Sequence, residues 1–298
     1  MRSCLICIVD FELLKSRAKL LNLKIQFVEI KSLKLAKKNK LGTVQFIQSA
    51  NCKDLSPGSL NPKNAKYILD NLNFGITECL KNKKVGLVTG PIQKSNIIEG
   101  GFKTFQGHTE WIQKRTKSKN VVMLLSAKNI KVALATTHIP LTEVAKNIRK
   151  AKLVETIQTL HSGLKTKFKI KHPSITVLGL NPHAGENGKI GTEEIKKINP
   201  AVKVCRDMGI NVSYAISADT AFTAKKLKQT DVYLAMYHDQ ALPVLKALSF
   251  GEAVNITLGT GIVRTSVDHG TALDIAGKMK PNLGSIKEAI KAAEVQLK

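Results

Sequence analysis

The sequence predicts an α/β fold with a largely parallel sheet. Short apolar runs alternate with amphipathic stretches of roughly ten to twenty residues, the pattern of strands joined by helical crossovers. No internal repeat or low-complexity linker breaks that alternation, and 298 residues suffice for one large domain or two. If there are two, the chain crosses between them more than once. The composition, 43% hydrophobic and 23% charged, is that of a globular protein.

In chain order, residues 4 to 9 (CLICIV) read as a strand, and Glu12 to Leu21 as a helix with apolar positions at Leu13, Leu14, Ala18 and Leu21. Lys24 to Ile30 is a second strand, Lys31 to Leu41 a surface connection, and Val44 to Gln48 a third strand. Ser56-Pro57-Gly58 and Asn61-Pro62 mark a loop. A helix follows over Asn64 to Leu80, buried along Ala65, Ile68, Leu72, Ile76 and Leu80. Val85 to Thr89 is a buried strand ending at Gly90-Pro91, and the loop carrying Lys94 runs to Gly107-His108-Thr109-Glu110. Strands at Val121 to Leu125 and Lys131 to Thr136 come next, and Thr142 caps a helix reaching about Gly163. Ser174 to Leu180 is an apolar strand that stops at Asn181-Pro182-His183. Asp231 to Gly277 then gives a strand (Val232 to Tyr237), a His-Asp corner, a short helix, a strand (Ala253 to Leu258), a glycine turn and a loop ending in Asp268-His269-Gly270.

Composition excludes some classes. No stretch of about 18 apolar residues is present, so no membrane span is expected. The apolar N-terminal run meets Asp10 and Glu12 too soon for a secretory signal, and the default address is cytoplasmic. Five cysteines, scattered and odd in number, do not form a disulfide framework, and Cys4 and Cys7, although a C-x-x-C, read as core cysteines in a strand. A net charge of +25 raises a nucleic-acid reading. The lysines spread over the whole chain, however, and 5% aromatic residues offer few stacking platforms. That pattern suits a lysine-rich solvated surface.

Three histidines share one context: His138 after ALATT, His183 after VLGLNP and His238 after YLAMY. Strand C-terminal ends gather along one edge of a parallel sheet, so three imidazoles can meet there on a divalent ion with a position left open for substrate. For a single histidine, a capping or hydrogen-bonding role is commoner. The glycine-rich stretch Gly185 to Thr192 before Glu193-Glu194 leaves a plain loop and a phosphate cradle both open, since the glutamates already complement the helix dipole. Gly259 and Gly261 give a G-x-G, but Arg264 stands where the last glycine of a dinucleotide fingerprint belongs. Lys246, Asn255 and Arg264, with His108 and Thr109 upstream, supply donors suited to a phosphate or carboxylate. For Lys246 a plain surface role stands beside that reading.

The segments GLVTGPIQK, FQGHTEW, ALATTHIPL, LGLNPHAGENGKIGTEE, AMYHDQALPVLK and VNITLGTGIVRTSVDHGTALDIAGK, in this order and at these separations, resemble the 4-hydroxythreonine-4-phosphate dehydrogenase family of pyridoxal phosphate (vitamin B6) biosynthesis. The resemblance runs from Val85 to Gly277. It implies an isocitrate/isopropylmalate dehydrogenase-like pair of α/β/α-type domains. Residues 1–107 plus 250–298 would form the cofactor side, and 108–249 a central metal-binding and dimerisation domain. It implies NAD-dependent oxidation (NADP being the alternative) of the 3-hydroxyl of 4-phosphooxy-L-threonine, then loss of the carboxylate to give 3-amino-2-oxopropyl phosphate. A homodimer would hold a divalent metal, zinc, magnesium or cobalt, between subunits. Carried over by position, His138, His183 and His238 would be metal ligands; His108, Thr109, Lys246, Asn255 and Arg264 would hold substrate. His269, Gly270 and Asp274 would lie near the cofactor, and Lys246 is the candidate for proton transfer. Family members usually open with a βα unit carrying a GDPAGIG-type loop, and this chain is expected to lack it, through a truncated gene model. Rival expectations are a dehydrogenase of phosphorylated threonate or erythronate, an inactive truncated homologue that only binds ligand, and a basic nucleic-acid binder.

Overall fold

The structure, a computed structural model, describes residues 3–53, 56–128, 130–249, 252–278 and 280–298. Three parallel strands near the N-terminus, β1 (Ile6–Val9), β2 (Gln26–Glu29) and β3 (Thr43–Gln48), form a small sheet in the order β1-β3-β2. Helix α1 (Phe11–Leu20) connects β1 to β2, capped by Asp10, whose carboxylate accepts from the Glu12 N–H. The other Asp10 oxygen accepts from the Cys52 N–H at 2.7 Å. Cys4 and Cys7, expected in a core, are exposed instead. β1 is an edge strand, and Cys7 sits between half-buried neighbours on the outer side of its pleat.

Seven further strands make one sheet: β4 (Gly86–Thr89), β5 (Val122–Ala127), β6 (Ile130–Leu134), β7 (Ile175–Val177), β8 (Val232–Ala235), β9 (Val254–Leu258) and β10 (Val263–Val267), ordered β4-β10-β9-β5-β6-β8-β7. Neighbours are parallel at β4/β10, β6/β8 and β8/β7 and antiparallel at β10/β9, β9/β5 and β5/β6. With both pairings of the small sheet, five of the eight pairings are parallel.

Register explains why this sheet has two unlike faces. Residues directly opposite across a ladder share a face. One row therefore reads Val88, Thr265, Ile256, Leu124, Ala133, Leu234 and Val177 across all seven strands. It packs under α6 (Lys150–Lys167), α7 (Asn199–Asp207) and α10 (Gly284–Leu297) through Leu153, Ile157, Leu160, Val202 and Ala289. Leu124, Leu160 and Leu234 are fully buried, each contributing about 1.5–3 kcal/mol by apolar burial. The next row, on the opposite face, is Thr89, Ser266, Asn255, Leu125, Val132, Tyr233 and Thr176. Its apolar middle is covered by α9 (His238–Ser249) through Ala241, Leu242 and Leu245, whereas its Thr89-Ser266-Asn255 end is polar.

Several elements differ from expectation. The long helix α2 (Ala65–Lys81) buries Leu69, Leu72, Ile76 and Cys79, while Leu80 is 42% exposed, so the apolar stripe is rotated from the one read off the sequence. The expected loop after Lys94 contains α3 (Lys94–Glu99) and α4 (His108–Thr116). The single helix expected from Thr142 is two, α5 (Leu141–Asn147) and α6, parted at Ile148, which turns into the core at 1% exposure. Pro140, and not a Thr142 hydroxyl, occupies the N-cap of α5. A short helix, α8 (Ala224–Gln229), precedes β8. The segment after the Gly259–Gly261 turn, expected as loop, is strand β10. Those glycines, at φ +87 and +70, close a β9–β10 hairpin, a conformation side-chain-bearing residues rarely adopt.

Candidate active site

Strands β6, β8 and β7 are adjacent and parallel, so all three leave the sheet at one edge. His138 follows β6, His238 opens α9 directly after β8, and His183 follows β7. Backbone pairing between β6 and β8 continues past the strand ends: Ala135 N–H donates to Ala235 O and the Thr136 hydroxyl to Met236 O. That lock brings the His138 and His238 rings to 5.7 Å between centroids, inclined at 47°. Two imidazoles on one tetrahedral ion, with metal–nitrogen bonds of about 2.0–2.1 Å, require a separation of that size. Asp239 lies 2.6 Å from His238 Nδ1, an arrangement that orients the ring and leaves Nε2 for an ion.

His183 is built differently. His183, Ala184, Gly185, Glu186 and Asn187 all have φ between +41 and +84, a turn of left-handed helix. Each residue other than glycine costs about 1–2 kcal/mol there, so the turn persists only because its surroundings hold it. Gly185 is required twice over: φ is +84, and a Cβ would lie 2.7 Å from Glu194 Oε2. Among the described residues no group of three His, Cys, Asp or Glu is placed to hold an ion. The structure thus gathers His138 and His238 but not His183 within one chain. The glycine-rich stretch, left open between loop and phosphate cradle, instead has its inner space filled by glutamate carboxylates.

The polar end of the sheet face lies beside α9. Arg264 is 2% exposed, and it donates to the Thr257 hydroxyl at 3.0 Å and the Thr89 hydroxyl at 2.8 Å. Its Nε and the Oδ1 of Asn255 are buried with no partner. Buried polar atoms left unmatched cost about 1–3 kcal/mol each, which points to a ligand that completes them. Burial lowers the Arg264 pKa to about 10, with Glu110 countering, so the guanidinium stays charged at neutral pH. His108, first residue of α4, is held far below the ordinary histidine value, at about 3, by burial and then by the Arg264 charge. It therefore meets a ligand as a neutral imidazole with one donor and one acceptor, and positive charge comes from Arg264. Thr109 stands beside it in the same first turn, half-buried.

Lys246 sits on α9 two turns beyond His238, about 12 Å along the axis at 1.5 Å per residue, and its Nζ lies 3.5 Å from Asp268 Oδ2. Burial raises the Asp268 pKa, and Lys246 pulls it back. The Asp268 N–H donates to Ser285, which fixes the carboxylate at the end of β10. His269, Gly270 and Asp274 lie on the exposed loop that follows, where the Thr271 hydroxyl reaches Gln93 at 3.1 Å. Among the described residues no hydrogen bond or ion pair joins these three to Arg264 or Asn255.

Thr89, Thr257, Ser266, Glu110, Asp239 and Asp268 were not singled out from sequence. The signal for two of them, Thr257 and Ser266, was present: VNITL places Asn255 and Thr257 on one face, and VRTSV places Arg264 and Ser266 on one face, which matters once both segments are read as paired strands.

The family described as Pyridoxal phosphate biosynthetic protein PdxA matches residues 1–293. A 4-hydroxythreonine-4-phosphate dehydrogenase of Enterobacter sp. (strain 638) is 45% identical over 289 residues, 97% of this chain and 88% of that protein. The crystal structure of a 4-hydroxythreonine-4-phosphate dehydrogenase from Klebsiella pneumoniae superposes with a TM-score of 0.89 at 29% identity, covering 98% of this chain and 90% of that one. One from Burkholderia phymatum gives 0.83 at 33% identity, covering 99% and 88%. This chain belongs to the PdxA family of pyridoxal phosphate biosynthetic proteins.

Proposed function

We propose that the chain is the NAD-dependent 4-hydroxythreonine-4-phosphate dehydrogenase of pyridoxal phosphate biosynthesis, oxidising 4-phosphooxy-L-threonine and releasing its carboxylate to give 3-amino-2-oxopropyl phosphate. Family membership supports the activity. The observation that carries the site is the polar end of the sheet face, where Arg264 Nε and Asn255 Oδ1 are buried without partners beside a neutral His108. Arg264, Asn255, His108 and Thr109 hold the anionic substrate, with the Arg264 fork set by Thr89 and Thr257. Lys246 takes the proton from the 3-hydroxyl, and Asp268 keeps its flexible stem in place. His269, Gly270 and Asp274 would hold NAD, which would supply the hydride acceptor. His138, His183 and His238 would hold a divalent ion, which would supply Lewis-acid chemistry; imidazoles suit zinc or cobalt better than magnesium. NADP is the alternative cofactor.

His138 and His238 come together while no group of three such residues forms among the described residues, which fits a homodimer in which the ion is completed across subunits. Ile139, Leu141, Ile190 and Ile195, exposed within about a dozen residues of His138 or His183 in the sequence, suit such an interface. The division into residues 1–107 plus 250–298 and 108–249 is kept as a proposal. It falls between β9 and β5 in the large sheet, and its edge at 250 lies outside the described residues. Among the described residues no helix is long and apolar enough to cross a membrane, and a cytoplasmic address is proposed.

The test is NADH formation with zinc or cobalt present, on 4-phosphooxy-L-threonine and on phosphorylated threonate and erythronate. The proposal expects at least tenfold higher kcat/KM for the first. Preference for a substrate lacking the amine would reassign the substrate, and no NADH from any would end the enzyme reading for this chain.

A further inference from the structure

Glu194 carries a carboxylate that the mechanism above does not use, yet it is 2% exposed. It opens a five-residue π turn, Glu194–Ile198, a widened helical turn of a kind often found at functional sites. Its Oε1 accepts from the backbone N–H groups of Leu180 and Asn181 at 2.7 and 2.8 Å, and its Oε2 from the Asn181 side-chain amide at 2.9 Å. These are the residues from which the left-handed turn bearing His183 departs. Cβ atoms built on Gly179 and Gly185 would lie 3.2 and 2.7 Å from the same two oxygens, so the loop wraps the carboxylate on both sides. Three residues further along the π turn, Lys197 Nζ donates to Ala145 O in α5 at 2.7 Å, and α5 begins just after His138. One short element thus grips the supports of two histidines.

We propose that Glu194 is a positioning residue for the divalent-ion site. It acts through Leu180 and Asn181 to hold the left-handed turn in which His183 is presented. This rests on the metal reading of His138, His183 and His238, and goes beyond it by naming what sets the third ligand's geometry. Glu194 touches neither ion nor substrate. Its carboxylate anchors the Leu180 and Asn181 N–H groups from which the strained turn departs, and supporting partners of a metal ligand typically govern metal affinity by 10- to 100-fold.

The experiment compares purified full-length wild type, Glu194→Gln and the milder Asn181→Ala. Asn181→Ala leaves the carboxylate with its two backbone donors, and so guards against a Glu194 variant that does not fold. Zinc affinity is measured by chelator competition, the visible spectrum of the cobalt-loaded protein reports ligand geometry, and amide exchange is followed over residues 180–188 without metal. The proposal expects Glu194→Gln to weaken zinc binding by 10- to 100-fold, with an altered cobalt spectrum and faster exchange in that segment. Asn181→Ala should shift all three in the same direction by a smaller factor. Faster exchange with zinc affinity within twofold of wild type in both variants would make Glu194 merely structural and overturn the proposal. A wild type that binds neither zinc nor cobalt would overturn the metal reading itself, and the positioning role with it.

Discussion

The two faces of the seven-stranded sheet differ by one residue of register and by almost everything else. On one face the row from Val88 to Val177 is apolar except for Thr265, whose hydroxyl donates to Ala289 O. On the other, the row begins Thr89, Ser266, Asn255 and turns apolar only where α9 covers it. The strand row of the first face has its one polar side chain matched. The second leaves Arg264 Nε and Asn255 Oδ1 unmatched, a cost evolution keeps where a ligand completes the set. A sheet can therefore carry stability on one side of a strand and binding on the other, with alternate residues of β9 and β10 assigned to each.

The largest test of this contrast is to make the polar end resemble the apolar one. Arg264→Leu removes the guanidinium aimed by Thr89 and Thr257, and with it the charge and the two hydrogen bonds proposed for the substrate anion. At about 1.5–3 kcal/mol per charged bond, kcat/KM should fall by roughly 10³-fold. Stability should change by far less than activity, because relief of a buried charge with an unmatched Nε is offset by leaving the Thr89 and Thr257 hydroxyls without their donor. Activity within tenfold of wild type would break the assignment. The converse is Leu234→Ala on the covered face, where Leu234 is fully buried. Deleting a core leucine costs about 2–5 kcal/mol, read as a lower denaturant midpoint, while kcat of the folded fraction should stay within about threefold. A large loss of kcat with unchanged stability would mean that the two faces are not separable.

How much of this was legible depended on which physical signal carried it. Strand and helix alternation showed in local hydrophobic period, and the three histidines showed because each closely follows a buried strand. Strand direction has no such signature: nothing in VVMLL or VNITL says that β5 and β9 run antiparallel to their neighbours, since side-chain alternation is the same either way. The loop-like stretch around His108 hid α4, because a nine-residue helix (HTEWIQKRT) carries too few apolar positions for a clear 3.6-residue period. Arg264 was legible as a donor suited to an anion, but the part of Thr89 and Thr257 in aiming it was not. Their role depends on cross-strand pairing of segments far apart in sequence. The left-handed turn at His183 was hidden for a related reason: it is held by Glu194, eleven residues later, and not by its own local preference.

The smallest expected effect concerns His108, where the polar end meets the solution pH. Burial, and then the charge of Arg264, hold its imidazole neutral down to about 3, whereas in the unfolded chain it takes a proton near 6.5. Above pH 6.5 both states are neutral and the group contributes no pH dependence. Between 6.5 and 3 the unfolded chain binds a proton that the native state refuses, so stability falls as pH falls. From pH 7.5 to 5.5 this amounts to roughly 1 kcal/mol for one such group. His108→Asn keeps a neutral polar side chain but cannot titrate, so its stability should decline by about that much less over the same interval, measured from denaturant midpoints. His161, also lowered by burial and by Lys165, is present in both proteins and cancels in the difference. Identical pH profiles for the two proteins would mean that His108 protonates freely, and that the polar end is open to water and not the closed anion site that its unmatched atoms imply.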